Sequence, residues 1–336
     1  MGAVIAGLPD RKEENVLVVG NGFDLYHGLK TKYYDFVQYT KEKNTNNAFS
    51  KICRENNILK YFQKVVELNE GWIDCEERLS YIVKLFSKII TKLEEKSHLH
   101  IPTKDFTTEE KFTLESFDKY FEKTDMNAYK VKESWLNSYK ELNKTFLLRE
   151  LKKELDDVIC ALDYYLCECV ENQKSDILSK QIKGLNPKYV VNFNYTNTCE
   201  KIYGIDERKV LHVHGKVNSK PRNMVLGIRD DDIENLDFVY FKKYFQCIQK
   251  RLDEIDHGQF NDLWGSNCKV CFFGHSLSKT DGDKIIELEN LSAQMIVFCR
   301  NQEDYESKVI NLIDIFGKKI ATEKIKSKKI VFKEIE

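Results

Sequence analysis

Val16-Leu-Val-Val-Gly-Asn-Gly-Phe-Asp-Leu25 is the stretch whose reading decides the fold. Four apolar residues, Val16 to Val19, run without a polar interruption, as a strand buried on both faces does. Gly20 and Gly22 then allow a tight turn in which the backbone can approach a ligand closely. The following Asp24-Leu-Tyr-His-Gly-Leu-Lys-Thr-Lys-Tyr-Tyr-Asp-Phe36 turns helical by about Thr31. Strand, glycine turn and helix start in that order make a cradle for an anion or nucleotide. Gly-Asn-Gly lacks the third glycine of the dinucleotide fingerprint, so taken alone the turn reads equally well as the closure of a βα unit.

Further sheet signals lie far downstream. Lys188-Tyr-Val-Val-Asn-Phe-Asn194 follows the breakers Gly184 and Pro187, and Lys209-Val-Leu-His-Val-His-Gly215 comes next. Met224 to Ile228, Val270 to Gly274 and Met295 to Cys299 read as compact strands, and Lys329 to Lys333 as a last, edge strand flanked by lysines. Phe238–Ile255, Asp283–Asn290 and Glu303–Phe316 carry helical spacing between them. Apolar strands alternating with helices predict an α/β fold, a Rossmann-like doubly wound and mainly parallel sheet.

Residues 32–183 read as almost wholly helical. Tyr33–Lys43 and Ile52–Leu68 are amphipathic pieces. Trp72–Leu93 carries Leu79, Ile82, Leu85, Phe86, Ile89, Ile90 and Leu93 on one face, and Phe146–Val170 carries Leu148, Leu151, Leu155, Ile159, Leu162 and Leu166. No glycine occurs between Gly71 and Gly184. The expected organisation is a sheet domain of 15–31 plus 184–336, with 32–183 as a large helical insertion after the first strand.

Four strands end in polar or glycine-containing segments: Gly20-Asn21-Gly22-Phe23-Asp24, Asn192-Phe-Asn194-Tyr-Thr-Asn197, His212-Val-His214-Gly215 and Gly274-His275-Ser276. Ligands of open parallel sheets bind at the carboxyl ends of the strands, so neighbouring strands would bring these tips to one crevice. Asn192 and Asn194 also suit turn hydrogen bonds. His212 and His214 alternate and would share a strand face, and His214, before a glycine, is the better general-base candidate. His275 reads equally as pocket lining or turn residue.

With 53 Lys plus Arg, 54 Asp plus Glu and a formal charge of −1, the chain advertises no electrostatic nucleic-acid binder. Met1 to Pro9 is apolar but too short for a signal peptide, and no apolar stretch approaches the length of a membrane span, so a cytoplasmic protein with no membrane partner is expected. The ten cysteines lack framework spacing and read as reduced thiols. Cys268-Lys-Val-Cys271 has the spacing of a redox or zinc pair, yet it sits inside an apparent strand and has no second pair nearby; no metal is expected.

The glycine turn with Thr31 and Tyr33, Trp72-Ile-Asp74-Cys-Glu76, Asn192-Phe-Asn-Tyr-Thr196, His212-Val-His-Gly215, Leu226-Gly-Ile228, and Gly274-His-Ser-Leu277 with Asp281 resemble the AbiH family, bacterial abortive-infection proteins active against bacteriophage. More distantly the strand tips resemble the sirtuin-like NAD-binding fold. That second resemblance implies that Gly20 to Asp24 surround a diphosphate, that Asn194 and His214-Gly215 match the catalytic asparagine and His-Gly pair, and that Gly274 and Ser276 touch the dinucleotide. Thr196 stands where the sirtuin segment has aspartate, and the paired-cysteine zinc module is missing, which argues against protein deacylation. The expectation is an abortive-infection effector that hydrolyses NAD+ at the nicotinamide–ribose bond. Asn194 and His214 would act, and Gly20, Asn21, Gly22, Phe23, Asp24, Asn192, Gly215, Gly274, His275 and Ser276 would hold the nucleotide. The expected partners are a nucleotide and either a phage protein that acts as trigger or further copies of the chain. Two other readings stay open: a magnesium-dependent nuclease or nucleotide hydrolase using Asp230, Asp231, Asp232, Asp281 and Asp283, and a non-catalytic nucleotide-binding sensor.

Overall fold

The apolar run forms strand β1 (Glu14–Val19), and its neighbours explain why no polar residue interrupts it. In the computed structural model, which describes residues 14–42, 48–68, 73–95, 99–125, 127–252 and 268–336, β1 lies within a six-stranded sheet. The other strands are β2 (Tyr189–Asn192), β3 (Val210–His212), β4 (Cys268–Phe273), β5 (Ser292–Cys299) and β6 (Ile330–Glu334). Their order is β3-β2-β1-β4-β5-β6, and every pairing is parallel. Val16 and Val18 enter one core with Ile285, Leu288 and Leu312, whereas Leu17 and Val19 enter another with Phe23, Ile182 and Cys199. Both faces of the strand are therefore dry, and burying each such side chain stabilises by about 1.5–3 kcal/mol.

Helices α1 (Asn21–Tyr26), α2 (Lys180–Leu185) and α3 (Thr198–Tyr203) contribute to the second core. Helices α4 (Gly282–Leu291) and α5 (Gln302–Phe316) contribute to the first, and α6 (Lys318–Lys326) leads into β6. A short helix begins at once after β1, with Gly20 as its N-cap, and the helix expected near Thr31 follows as Tyr33–Glu42.

The described residues group into two units. One takes those of 1–30, 173–216 and 252–336 and holds the sheet; the other takes those of 31–172 and 217–251. Segment 217–251 thus groups with the helices, outside the sheet. Met224–Ile228 adds no strand: its one bridge joins Ile228 to Lys242. The single helix expected from Phe238 is broken at Lys242, whose extended backbone separates a 3-10 turn, Leu236–Phe241, from Lys243–Gln249; residues 253–255 lie outside the described residues.

The second unit is not wholly helical. His100–Pro102, Phe121–Thr124 and Ala128–Val131 form an antiparallel sheet with the last strand in the middle. Strands of three or four residues are too short to declare a period of two. The piece expected over Ile52–Leu68 is two helices, Ala48–Glu55 and Asn57–Leu68. Asn56 separates them, because its Oδ1 accepts the Leu59 N–H at 2.9 Å and starts a new helix. The long helices are Cys75–Glu95 and Lys144–Tyr165, the latter continuing into a π-turn, Leu166–Val170. No helix among the described residues is long and apolar enough to cross a membrane.

Candidate functional site

The register sets the four polar tips side by side. Val19 is paired with Asn192 on one side and Phe273 on the other, and Asn192 is paired with His212. The four strands are consecutive, as the convergence of their tips requires. The chain builds outward from β1 through β2 and β3, then returns to the opposite side of β1 with β4. That reversal is where open parallel sheets bind ligands.

At the reversal the glycines have a structural task. A Cβ on Gly22 would stand 2.7 Å from the Gly274 carbonyl oxygen, and one on Gly20 would stand 2.8 Å from the His275 Cα and 2.9 Å from its ring. Gly274, at φ 65°, would drive a Cβ to 2.0 Å from the Phe23 nitrogen. The turn after β1 and the end of β4 are thus in backbone contact, joined by the Gly22 N–H donating to the Gly274 oxygen at 2.7 Å. The Phe23 N–H donates to the Gly20 oxygen at 2.8 Å. Two amides that a diphosphate cradle would offer are already engaged. The Phe23 ring is fully buried, 6.0 Å from the Phe273 ring. Asn21 and Ser276 are exposed at this edge.

The asparagine-rich tip is a hydrogen-bonded turn. Asn192 Oδ1 accepts the Asn194 N–H at 2.9 Å, and Asn192 Nδ2 donates to the Thr196 oxygen at 3.1 Å. Asn192, expected among the ligand contacts, is buried with both polar atoms used within the turn. Asn194 Nδ2 donates to the Gly20 oxygen at 3.0 Å, tying this turn to the one after β1. Asp24 is also fully buried, and its Oδ2 accepts the Thr196 hydroxyl at 2.7 Å. Its carboxylate steadies the asparagine turn through Thr196.

The two alternating histidines separate. Strand β3 stops at His212, whose Nδ1 lies 3.2 Å from the Asn194 oxygen and Nε2 3.1 Å from Glu200 Oε1. The turn at 213–215, with Gly215 at φ 76°, sends His214 elsewhere. His214 Nε2 lies 3.4 Å from Asp281 Oδ1, and His275 Nε2 lies 3.7 Å from Asp281 Oδ2. One carboxylate therefore faces two imidazoles, against the ring of Phe193 (5.6 Å from His214 and 4.4 Å from His275, edge-on). Asp281 was legible only as a residue of the family pattern or a magnesium candidate; here it backs His214. An imidazole oriented by a carboxylate is an arrangement that takes a proton and is stabilised as imidazolium.

His27 went unforeseen. Its Nδ1 lies 2.7 Å from the Phe23 oxygen, an acceptor, so Nδ1 carries the proton and Nε2 accepts from the Tyr203 hydroxyl at 2.9 Å. Burial holds its pKa below the ordinary value, against the opposing effect of the Phe23 carbonyl.

Cys268 and Cys271 are buried in β4, and burial pushes the Cys271 thiol up to about 11. All ten cysteines are free. Asp231 is bidentate to Arg229 and Asp232 pairs with Lys84 at 3.3 Å. Among the described residues no three or more His, Cys, Asp or Glu form a group that could hold a metal ion. In the second unit Asp74 caps Cys75–Glu95 through the Glu76 and Glu77 N–H groups, and Glu76 pairs with Lys243 at 2.8 Å. Gly227 is required because a Cβ there would stand 2.4 Å from the Phe241 oxygen. Trp72 lies outside the described residues.

No curated protein and no solved structure matches the chain. A family model described as bacteriophage abortive infection AbiH matches residues 16–299, which includes the four strand tips and Asp281. The chain belongs to the AbiH family of bacteriophage abortive-infection proteins.

Proposed function

We propose that this abortive-infection protein is an effector that hydrolyses NAD+ at the nicotinamide–ribose bond, with His214 as general base. The observation that carries the reading is the Asp281 carboxylate 3.4 Å from His214 Nε2 at the reversal edge of the sheet. The strand order supports it, being the 3-2-1-4-5-6 arrangement of doubly wound dinucleotide-binding domains. Nicotinamide leaves a cationic glycoside as a neutral molecule, so departure needs no general acid. The site must position a water and accept its proton as the ribose gains oxocarbenium character. His214, backed by Asp281, takes that proton. Asn194, fixed to Gly20, presents its side chain between the two turns as the polar contact for ribose or water. Because Gly22 and Phe23 have their amides engaged, the diphosphate is held by Asn21 and Ser276 at the exposed rim. The activating event is a phage protein or self-association, and the outcome is loss of cellular NAD+.

The test is nicotinamide release from purified protein, alone and after co-expression with phage. His214→Ala should lower the rate about 10²- to 10⁴-fold, the range of a lost general base. Release that is undetectable under activating conditions, or equal in wild type, Asn194→Ala and His214→Ala, overturns the proposal.

A further inference from the structure

His275 is not part of the exposed rim: it is 3% exposed, with its ring 4.4 Å from that of Phe193 and 5.8 Å from that of Phe272. Its Nδ1 accepts the Leu277 N–H at 2.9 Å, so that nitrogen is unprotonated and the ring proton belongs on Nε2. Nε2 faces Asp281 Oδ2 at 3.7 Å, while Oδ1 faces His214. The contact is longer than a hydrogen bond, of the kind that tightens when a site fills.

Two features hold this arrangement at a cost. Leu277, a bulky residue, sits at φ 57° with its side chain fully buried. The left-handed conformation is strained for a residue with a Cβ. It persists because the surroundings over-determine it, as happens where backbone strain serves a site. It aims the Leu277 N–H at His275 Nδ1. The second feature is the glycine turn: Gly20 is the residue a Cβ would drive into both the backbone and the ring of His275.

We propose that His275 is a positioning residue, acting through Asp281 on His214, and that the Gly20–Gly22 turn is the seat that fixes it. The inference rests on reading His214 as the base of this site. His275 sets its Nε2 against one carboxylate oxygen, leaving the other aimed at His214. The glycines after β1 then belong to the acid–base apparatus through packing, with no phosphate required. A buried histidine that only fills space would need neither a fixed tautomer nor a carboxylate partner.

Imidazole 15N spectra of histidine-labelled protein, with nicotinamide release measured in parallel, test this. The expected result is a His275 ring protonated at Nε2, with the His214 and His275 signals both displaced in Asp281→Asn. His275→Phe keeps a ring but loses both polar contacts; it should displace the His214 signals and lower kcat about 10²-fold with KM unchanged, the scale of a misplaced catalytic group. His275→Gln, whose amide nitrogen reaches where Nε2 was, should restore both. A His275 proton on Nδ1, or His214 signals indifferent to Asp281→Asn or His275→Phe, overturns the proposal. If wild type releases no nicotinamide, the hydrolase reading falls, while the spectra alone decide the role of His275.

Discussion

Gly22→Ala separates two accounts of the glycine turn. If Gly22 exists so that a nucleotide can approach, the ligand-free protein tolerates alanine and only binding suffers. If it exists for the end of β4, the ligand-free protein is destabilised. The new Cβ would meet the Gly274 oxygen at 2.7 Å and its Cα at 2.9 Å, both backbone atoms that no rotamer change can move aside. Overpacking of this kind costs about 1–3 kcal/mol. Parting the turns also stretches the Gly22–Gly274 hydrogen bond of 2.7 Å, a further loss of about 0.5–1.5 kcal/mol. Alanine in place of glycine in a helix returns up to about 1 kcal/mol. The net expectation is a loss of about 0.5–4.5 kcal/mol, read as a lower midpoint of urea unfolding at unchanged slope. A ligand-free Gly22→Ala protein as stable as wild type, or more so, would refute the packing account.

Burial lowers the His27 pKa from the ordinary 6.5, so the native state binds fewer protons than the unfolded chain as pH falls from 6.5 through the folded value. Stability should drop across that window, and less in His27→Gln, as compared by thermal unfolding between neutral and mildly acidic buffer. Glu154 has the opposite sign: burial raises its carboxyl above the ordinary 4.5 despite the hydrogen bond from Tyr120. Its stabilising contribution is complete below 4.5 and is lost as pH rises through the folded value; Glu154→Gln should flatten that dependence in urea titrations. Asp163 accepts the Asn218 N–H and Arg222 Nε, each at 2.8 Å. Asp163→Ala strands two donors and should cost about 1–3 kcal/mol in urea unfolding; an unchanged midpoint would show that water replaces the carboxylate.

The sheet was legible where sequence and burial share one period. Val16 to Val19 reads as a strand covered on both faces, and each polar tip follows a short apolar run. The small sheet at residues 100–131 was not, because its strands carry too few residues for alternation to emerge. The histidines show a subtler limit. Alternation puts His212 and His214 on one face only while the strand continues, and β3 ends at His212. One residue of turn then sends the first imidazole to Glu200 and the second to Asp281.

The glycines mark the deepest gap between pattern and purpose. A glycine in a turn says that something comes close, and it is silent on what. Here the approaching group is the chain itself, at Gly274 and His275. The same spacing serves a phosphate, which is why the sequence alone does not separate the two. Contact with the end of β4 explains why the two motifs occur together: Gly20 and Gly22 demand a partner strand ending in glycine, and Gly274 demands a turn without side chains opposite it. Each makes sense only with the other. Through His275 and Asp281 the pair reaches His214, a residue neither touches in sequence. Substitution at Gly20 should therefore disturb the His214 environment more than its distance along the chain implies.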